Sequence, residues 1–372
     1  MEYIGDVGGI PLHQDGLTSV PLDTPQFTDH GYAFATGLVY NAAKDLPGQP
    51  VEFPVSGPAD NDSTTPPTVI AGGTSGSAAF AFVTEDGCIN AWRSNTTTAM
   101  VSAPIIIDYS KTSAYFPYAQ NSVFSGVAMS TNAYTSPAYI NAGGNHLYAT
   151  DFRQNAIEVF NNQWVDVTGS FPFQTPTDIP AGLHAFNIMD LGGHLYVTYA
   201  EWNASGDEGM EETDGAGLGR LVEYNEDGTF VREFNDGGML NAPWGVAIAP
   251  STFGVYAGDI LVSNFGDGTI SAFDPATGNF AGQLKDVSGN VIAIDGIWGL
   301  VFGNGVSLGD ANTLYFTAGP NREFDGVFGK LTLDYPPSDT PAMPPLALVA
   351  LGLCLAAMGC AFLMRTRAAG SV

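Results

Sequence analysis

Basic residues are scarce in this chain. Lys and Arg together number 11 against 38 Asp and Glu, giving a formal net charge of −27 over 372 residues. Two of the arginines, Arg365 and Arg367, lie in the last eight residues, so the rest is more acidic still. A surface of that sign repels phosphate backbones, which excludes nucleic acid as a natural partner. Cysteine is scarcer: Cys88, Cys354 and Cys360 are the only three. The last two fall in an apolar tail, so neither a disulfide framework nor a zinc-ligand spacing can be built. Cys88, in "TEDGCIN", reads as a small strand residue rather than a nucleophile. There is no G-x-S-x-G elbow, no ligand spacing among the five histidines, and no Ser/His/Asp set that spacing singles out.

What is present points to many short strands. Hydrophobic residues make up 45 %, and 46 Gly with 24 Pro are spread along the chain. A strand–turn–strand unit recurs: "FAFVTEDGCINAWR" at 80–93, "HLYATDFRQNAIEVFN" at 146–161, "HLYVTYA" at 194–200 with "GRLVEYN" at 219–225, "DILVSNFGDGTISAFD" at 259–274, and "TLYFT" at 313–317 with "GVFGKLTLDY" at 326–335. A hydroxyl recurs at Thr84, Thr150, Thr198, Ser263 and Thr317. Asp86-Gly87 and Asp267-Gly268 are hairpin signals, because Gly takes a positive φ without strain. The "NFGDG" stretch at 264–268 is followed by a strand rather than a helix, and it lacks the alternating acidic ligands of a calcium loop. It reads as a turn and not as a phosphate or calcium loop.

Each hairpin is preceded by a further strand, as in "FSGVAMST" at 124–131, "FNIMDLGG" at 186–193, "PWGVAIAP" at 243–250 and "IWGLVFGN" at 297–304. Units of about four strands imply radial blades, an all-β propeller. With "YAFATGLVYN" at 32–41 counted as an incomplete first copy, the blades number six. The sequence therefore predicts an irregular segment at 1–31, a six-bladed propeller at 32–335, a Pro-rich linker at 336–345, an apolar helix at 346–364 and a basic tail at 365–372. The helix opens at Leu346 and ends at Met364; 19 apolar and small residues suffice to span a hydrocarbon core of about 30 Å. The arginines after it predict a cytoplasmic tail with the propeller on the extracytoplasmic side. Residues 1–17 carry no export signal, and no inner strand precedes the first copy. Both features predict a start upstream of Met1; a tail-anchored cytoplasmic domain is the alternative.

From about 32 to 335 the chain resembles an uncharacterised family of exported bacterial β-propellers carrying PEP-CTERM-type sorting tails. The resemblance rests on "LYATDF", "AFNIMDLGGHLYVTYA", "LNAPWGVAIAP", "GDILVSNFGDGTISAFDPATGNFAGQL", "IDGIWGLVFGNG" and "NTLYFTAGP". The tail departs from the pattern, having "TPAMPP" where "PEP" is expected. The blades also resemble, more distantly, NHL-type and gluconolactonase-type propellers.

Propellers bind ligands at the mouth of the channel, where inner strands begin. Those approaches carry Asn121, His184, Asn241 and Asp295, with Asn187 just inside its strand. The Asn and Asp residues either cap turns or supply oxygen ligands to a hard cation, and His184 is the one histidine that stands as a site candidate. The lactonase resemblance implies a channel calcium ion polarising a lactone or ester carbonyl; no Glu stands at a matching position. The insertion at 201–219 holds Asp207, Glu208, Glu211, Glu212 and Asp214, as a solvated loop or around a cation. Trp244 and Trp298 share one repeat position and read as packing between blades. The function expected is a binding or scaffold module for a protein, polysaccharide or small molecule, with a calcium-dependent hydrolase or lyase as the alternative.

Overall fold

The computed structural model describes residues 35–42, 50–60, 69–93, 99–100, 103–109, 122–130, 144–205, 211–323 and 325–333. The apolar run at 346–364, its flanking linker and tail, and residues 1–31 lie outside them. Among the described residues no helix is long and apolar enough to cross a membrane.

The described strands form six antiparallel sheets, five of which are propeller blades. Blade one is Ala35–Tyr40, Phe80–Thr84, Cys88–Trp92 and Ile105–Asp108, in that order from the inside. Blade two is Phe124–Met129, His146–Asp151 and Ala156–Asn161. Blade three is Leu183–Asp190, His194–Trp202, Gly219–Asn225 and Phe230–Glu233, with Glu212–Thr213 paired to the end of its second strand. Blade four is Pro243–Ile248, Ile260–Asn264, Ile270–Phe273 and Phe280–Gln283. Blade five is Ile297–Phe302, Thr313–Ala318 and Val327–Thr332.

The count differs from the sequence expectation of six, for a physical reason. Ala35–Tyr40 is not the hairpin of a separate blade. It pairs with Phe80–Thr84, Leu38 opposite Phe82 and Tyr40 opposite Phe80, and so is the inner strand of blade one. The intervening residues hold two strands of a small extra sheet, Pro54–Asp60 and Val69–Ser77, and Ala99–Met100, between the outer two strands of blade one, supplies its third. Part of it packs on blade two: Phe53 N donates to Asn162 O at 2.6 Å, and the Trp164 indole donates to Pro54 O at 2.9 Å.

The middle strands are buried on both faces, which is why their apolar runs barely alternate. Every residue of Cys88–Trp92 and of Ile260–Asn264 is buried. The turn at 264–268 is a hairpin end: Gly268 has φ +75°, its N–H reaches Asn264 O at 2.8 Å, and the flanking strands pair from Ser263–Ile270 to Ile260–Phe273. Apolar clusters sit between successive blades. Tyr148, Ile188, Val197 and Tyr224 join blades two and three; Tyr196, Leu221, Val246, Val262 and Phe273 join three and four. Each such side chain, fully buried, contributes about 1.5–3 kcal/mol.

Inner strands meet through a repeated device. At the same strand position stand Gly37, Gly126, Asn187, Gly245 and Gly299, beside or opposite the repeat hydroxyl. A Cβ on Gly37 would strike Val127, one on Gly126 would strike Asn187, and one on Gly245 would lie 2.6 Å from Trp298 O. Absence of a side chain lets the next backbone approach. Beside each contact a polar side chain donates to a carbonyl of the next inner strand. Thr36 reaches Phe124 O at 2.7 Å, Thr150 reaches Phe186 O at 3.0 Å, Asn187 Nδ2 reaches Trp244 O at 2.9 Å, and Ser263 reaches Trp298 O at 2.6 Å.

Candidate functional site

Inner strands begin, and second strands end, at one face of the disc, so the loops entering the former meet the hairpin turns leaving the latter. In two blades the residue after the repeat hydroxyl ties this mouth together. In blade two it is Asp151, whose Oδ1 accepts Val123 N at 3.2 Å and Gln154 N at 3.1 Å; burial pushes this carboxyl above its ordinary range. In blade four it is Asn264, whose Oδ1 accepts Asn241 N at 3.1 Å. Both tie the approach segment to the second strand. The "TD" and "SN" pairs at these places are visible in the repeat, but spacing alone gives no reason to single them out.

Asn241 is 6 % exposed and spends its side chain inside the protein. Its Oδ1 accepts Gly215 N at 2.7 Å, and its Nδ2 faces Asp267 Oδ2 at 3.5 Å. It thereby stitches the acidic insertion to the turn of blade four. Ala242, next to it, is held at φ +44°, a left-handed conformation costly for a residue with a Cβ. Asn187 is buried and donates to Trp244 O; it lies within the inter-blade seam. His184 stacks on Trp202 with centroids 4.9 Å apart, and its Nδ1 lies 2.7 Å from Phe152 O. Asp295 is exposed and accepts Asn321 N at 3.1 Å. Asn121, Asp207 and Glu208 lie outside the described residues. The structure thus brings Asn241 together with the insertion, and leaves His184, Asn187 and Asp295 at separate places.

Beneath the mouth runs an aromatic chain. Phe152 meets Phe186 at 4.7 Å, Phe186 meets Trp244 at 4.8 Å edge-on, Trp244 meets Trp298 at 4.7 Å edge-on, and Trp298 stacks on Phe265 at 4.2 Å. The two tryptophans pack between blades four and five. Cys88 is a fully buried strand residue.

Above the chain lies a group of carboxylates from three blades: Glu211, Glu212 and Asp214 from the insertion, Asp267 from the turn of blade four, Glu323 from the loop of blade five. Asp214 and Asn241 both converge on Gly266, where an added Cβ would lie 2.8 Å and 2.1 Å from their Oδ1 atoms. Burial pushes Glu212 up to about 7, and the charges of Asp214, Glu323 and Glu211 add to it, against a hydrogen bond from its own backbone. Burial and the Asp267 charge raise Asp214. Burial also raises Glu323, opposed by a hydrogen bond from Trp298. None of the ion pairs among the described residues involves these five. Nor, among the described residues, is any group of three or more His, Cys, Asp or Glu placed to hold a metal ion.

No family model matches the chain. Two curated relatives are proteins of Acanthamoeba polyphaga mimivirus. Uncharacterized protein R648 is 38 % identical over 194 residues, 51 % of this chain and 46 % of that one. Uncharacterized protein R640 is 30 % identical over 252 residues, 67 % of this chain and 42 % of that one. The chain spans half or less of the length of the curated relatives it matches. These relatives are viral, where the sequence resemblance pointed to bacteria. Among solved structures, U3-55K aligns at a TM-score of 0.40 and 12 % identity over 84 % of this chain and 64 % of that one. A gluconolactonase, XC5397 of Xanthomonas campestris, aligns at 0.36 and 11 % over 65 % and 79 %. The fold assignment rests on the strand pairing described above.

Proposed function

We propose that the protein is a binding module whose rim of carboxylates engages a cationic partner. The observation that carries this reading is the contrast at the mouth. The amide of Asn241 is spent on Gly215 and Asp267, and that of Asn187 on the seam. Glu211, Glu212, Asp214, Asp267 and Glu323 gather from three blades with no basic side chain paired to them among the described residues. Like charges spread over a rigid scaffold attract basic peptide segments. The test is binding of a lysine-rich peptide at low and high salt. The wild-type chain is expected to bind with an affinity that falls steeply with salt. A Glu212→Gln, Asp214→Asn, Glu323→Gln variant is expected to lose that binding. Equal binding by the variant would overturn the reading.

The second reading is a calcium-dependent hydrolase, favoured by the convergence of Asn241, Asp214 and Asp267. On that reading Asn241→Ala abolishes metal binding; on the first it loosens only the insertion. We further propose that residues 346–364 anchor the propeller on the extracytoplasmic side, as a PEP-CTERM-like tail would. Protease added to intact cells is then expected to remove the propeller; protection of the propeller would contradict this arrangement.

A further inference from the structure

Among the described residues blade two has three strands, where blades one, three and four have a fourth on the outside. The stretch after its hairpin, "FPFQTPTDIPAG" at 171–182, carries Pro172, Pro176 and Pro180. Each removes a ladder donor and holds φ at about −65°, far from the extended strand value. Residues 171–182 therefore run as a strap from the far face of the disc to the mouth. Up to Gly182, whose carbonyl accepts Trp202 N at 2.9 Å, the strap's backbone-to-backbone bonds are local: Phe171 N donates to Thr168 O at 3.0 Å, and Ile179 N to Pro176 O at 3.1 Å. Side chains hold it down. Phe171 and Phe173 stack on each other and meet Tyr148 edge-on, Phe173 meets Tyr224 edge-on at 5.3 Å, and Tyr224 Oη donates to Gln174 O at 3.0 Å. Ile179 is buried against blade three.

Under the strap lies a crevice of about 40 Å³, lined by Asn155, Ile157, Ala185, Tyr199 and Tyr224 and roofed by residues 173–175. The two tyrosine hydroxyls meet in it at 3.0 Å. A crevice of this size and polarity takes up water. Beside it, on the last strand of blade three, stands Glu233. Its Oε1 lies 3.4 Å from Arg220 Nε, but Arg220 also spends itself on the Gly217 and Gly219 carbonyls. Its Oε2 is buried and meets no donor among the described residues. Facing Glu233 from the strap is Asp178, the one titratable side chain in 171–182. Two carboxyls so placed repel each other when both are ionised and attract when they share one proton.

We propose that residues 171–182 are a proton-latched strap, closed over the crevice while Asp178 and Glu233 share a proton and lifted at the Asp178 end when that proton leaves. Lifting it opens the hydroxyl-lined crevice to solvent. Burial and Asp178 push Glu233 up to about 7, with Arg220 opposing and Asp236 adding to the rise. The closed strap is thus fully stabilised below the ordinary 4.5, and that stabilisation is lost as pH rises through about 7. Tyr199, pushed up to about 12 by burial, and Tyr224, raised by burial as well, stay neutral across this range. At the far end Phe171 covers His146, with centroids 5.0 Å apart. Burial holds that imidazole below its ordinary range, against the charge of Glu226, so acid loosens that end and the two ends titrate in opposite senses.

The experiment is hydrogen exchange of the full chain at pH 5.5 and pH 8, with each rate divided by the intrinsic rate at that pH. The Ile179 amide reports the Asp178 end of the strap and the Val262 amide reports the core of blade four. In the wild type, protection of Ile179 is expected to fall about tenfold or more between the two pH values, while Val262 keeps its own. Glu233→Gln keeps the shape and a donor toward Asp178 at every pH, so its strap is expected to stay closed at pH 8. Asp178→Asn removes the repulsion from the other side and is expected to do the same. Three results would overturn the proposal. One is equal protection of Ile179 at both pH values in the wild type. The second is a pH step in Glu233→Gln as large as that of the wild type. The third is an equal loss at Val262, which would make the change one of the whole propeller rather than of the strap.

Discussion

Ser263 Oγ donates to Trp298 O across the junction of blades four and five at 2.6 Å, and accepts Gly245 N at 2.8 Å within its own blade. One hydroxyl therefore locks an inner strand to its neighbour in the sheet and to the next blade. Ser263→Ala leaves a buried N–H and a buried carbonyl short of one partner each, at about 1–3 kcal/mol. The loss is expected in chemical denaturation. An effect near zero would mean that the seam is held by apolar contact alone.

Gly245 belongs to the same seam. A side chain there meets the carbonyl of Trp298 rather than a flexible neighbour, so Gly245→Ala is expected to cost about 1–3 kcal/mol by overpacking. Since Gly245 and Ser263 share the Trp298 carbonyl, the double substitution is expected to fall short of the sum of the two singles. Strict additivity would show that the two residues act independently.

The repeat hydroxyls were legible in the sequence, because Thr84, Thr150, Thr198, Ser263 and Thr317 recur after the same apolar run. The blade count was not. "YAFATGLVYN" shares its aromatic and Thr pattern with "FAFVTED", and residues 41–79, with two strands of the extra sheet, hide that Ala35–Tyr40 pairs with Phe80–Thr84. Asn187 looked like a ligand because its polarity is visible in a sequence. The Trp244 carbonyl it bonds is not, since nothing along the chain states which backbone atom of the next blade lies opposite. Asp151 and Asn264 went unnoticed for the same reason: their partners are backbone N–H groups.

Asn187→Asp tests that seam from another side. It removes the Nδ2 donor to Trp244 O and sets a buried carboxyl against a carbonyl, so a loss of about 1–3 kcal/mol is expected, larger at pH 8 than at pH 4. A loss independent of pH would mean that the carboxyl escapes to solvent.

Stability is expected to fall as pH rises from about 4.5 to about 7. Glu212 has a folded pKa of about 7, above its ordinary 4.5, so in that window the folded chain binds more protons than the unfolded one. Glu233, pushed up to about 7 by burial and by Asp178, acts with the same sign. Glu212→Gln is expected to flatten this part of the profile and to stabilise the chain at pH 8 while changing little at pH 4. A profile as steep as that of the wild type would remove Glu212 from the cause.

The most direct test of the binding-module account is a thermal melt of the full chain, first in excess calcium and then in chelator. A site bound only by the folded state adds about 2.7 kcal/mol when the ion is at 100 times its dissociation constant. With the mouth amides spent inside the protein, the melting temperature is expected to be the same in both conditions, for the wild type and for Asn241→Ala. An upward shift in calcium that Asn241→Ala abolishes would contradict the account and establish a metal centre at the channel mouth.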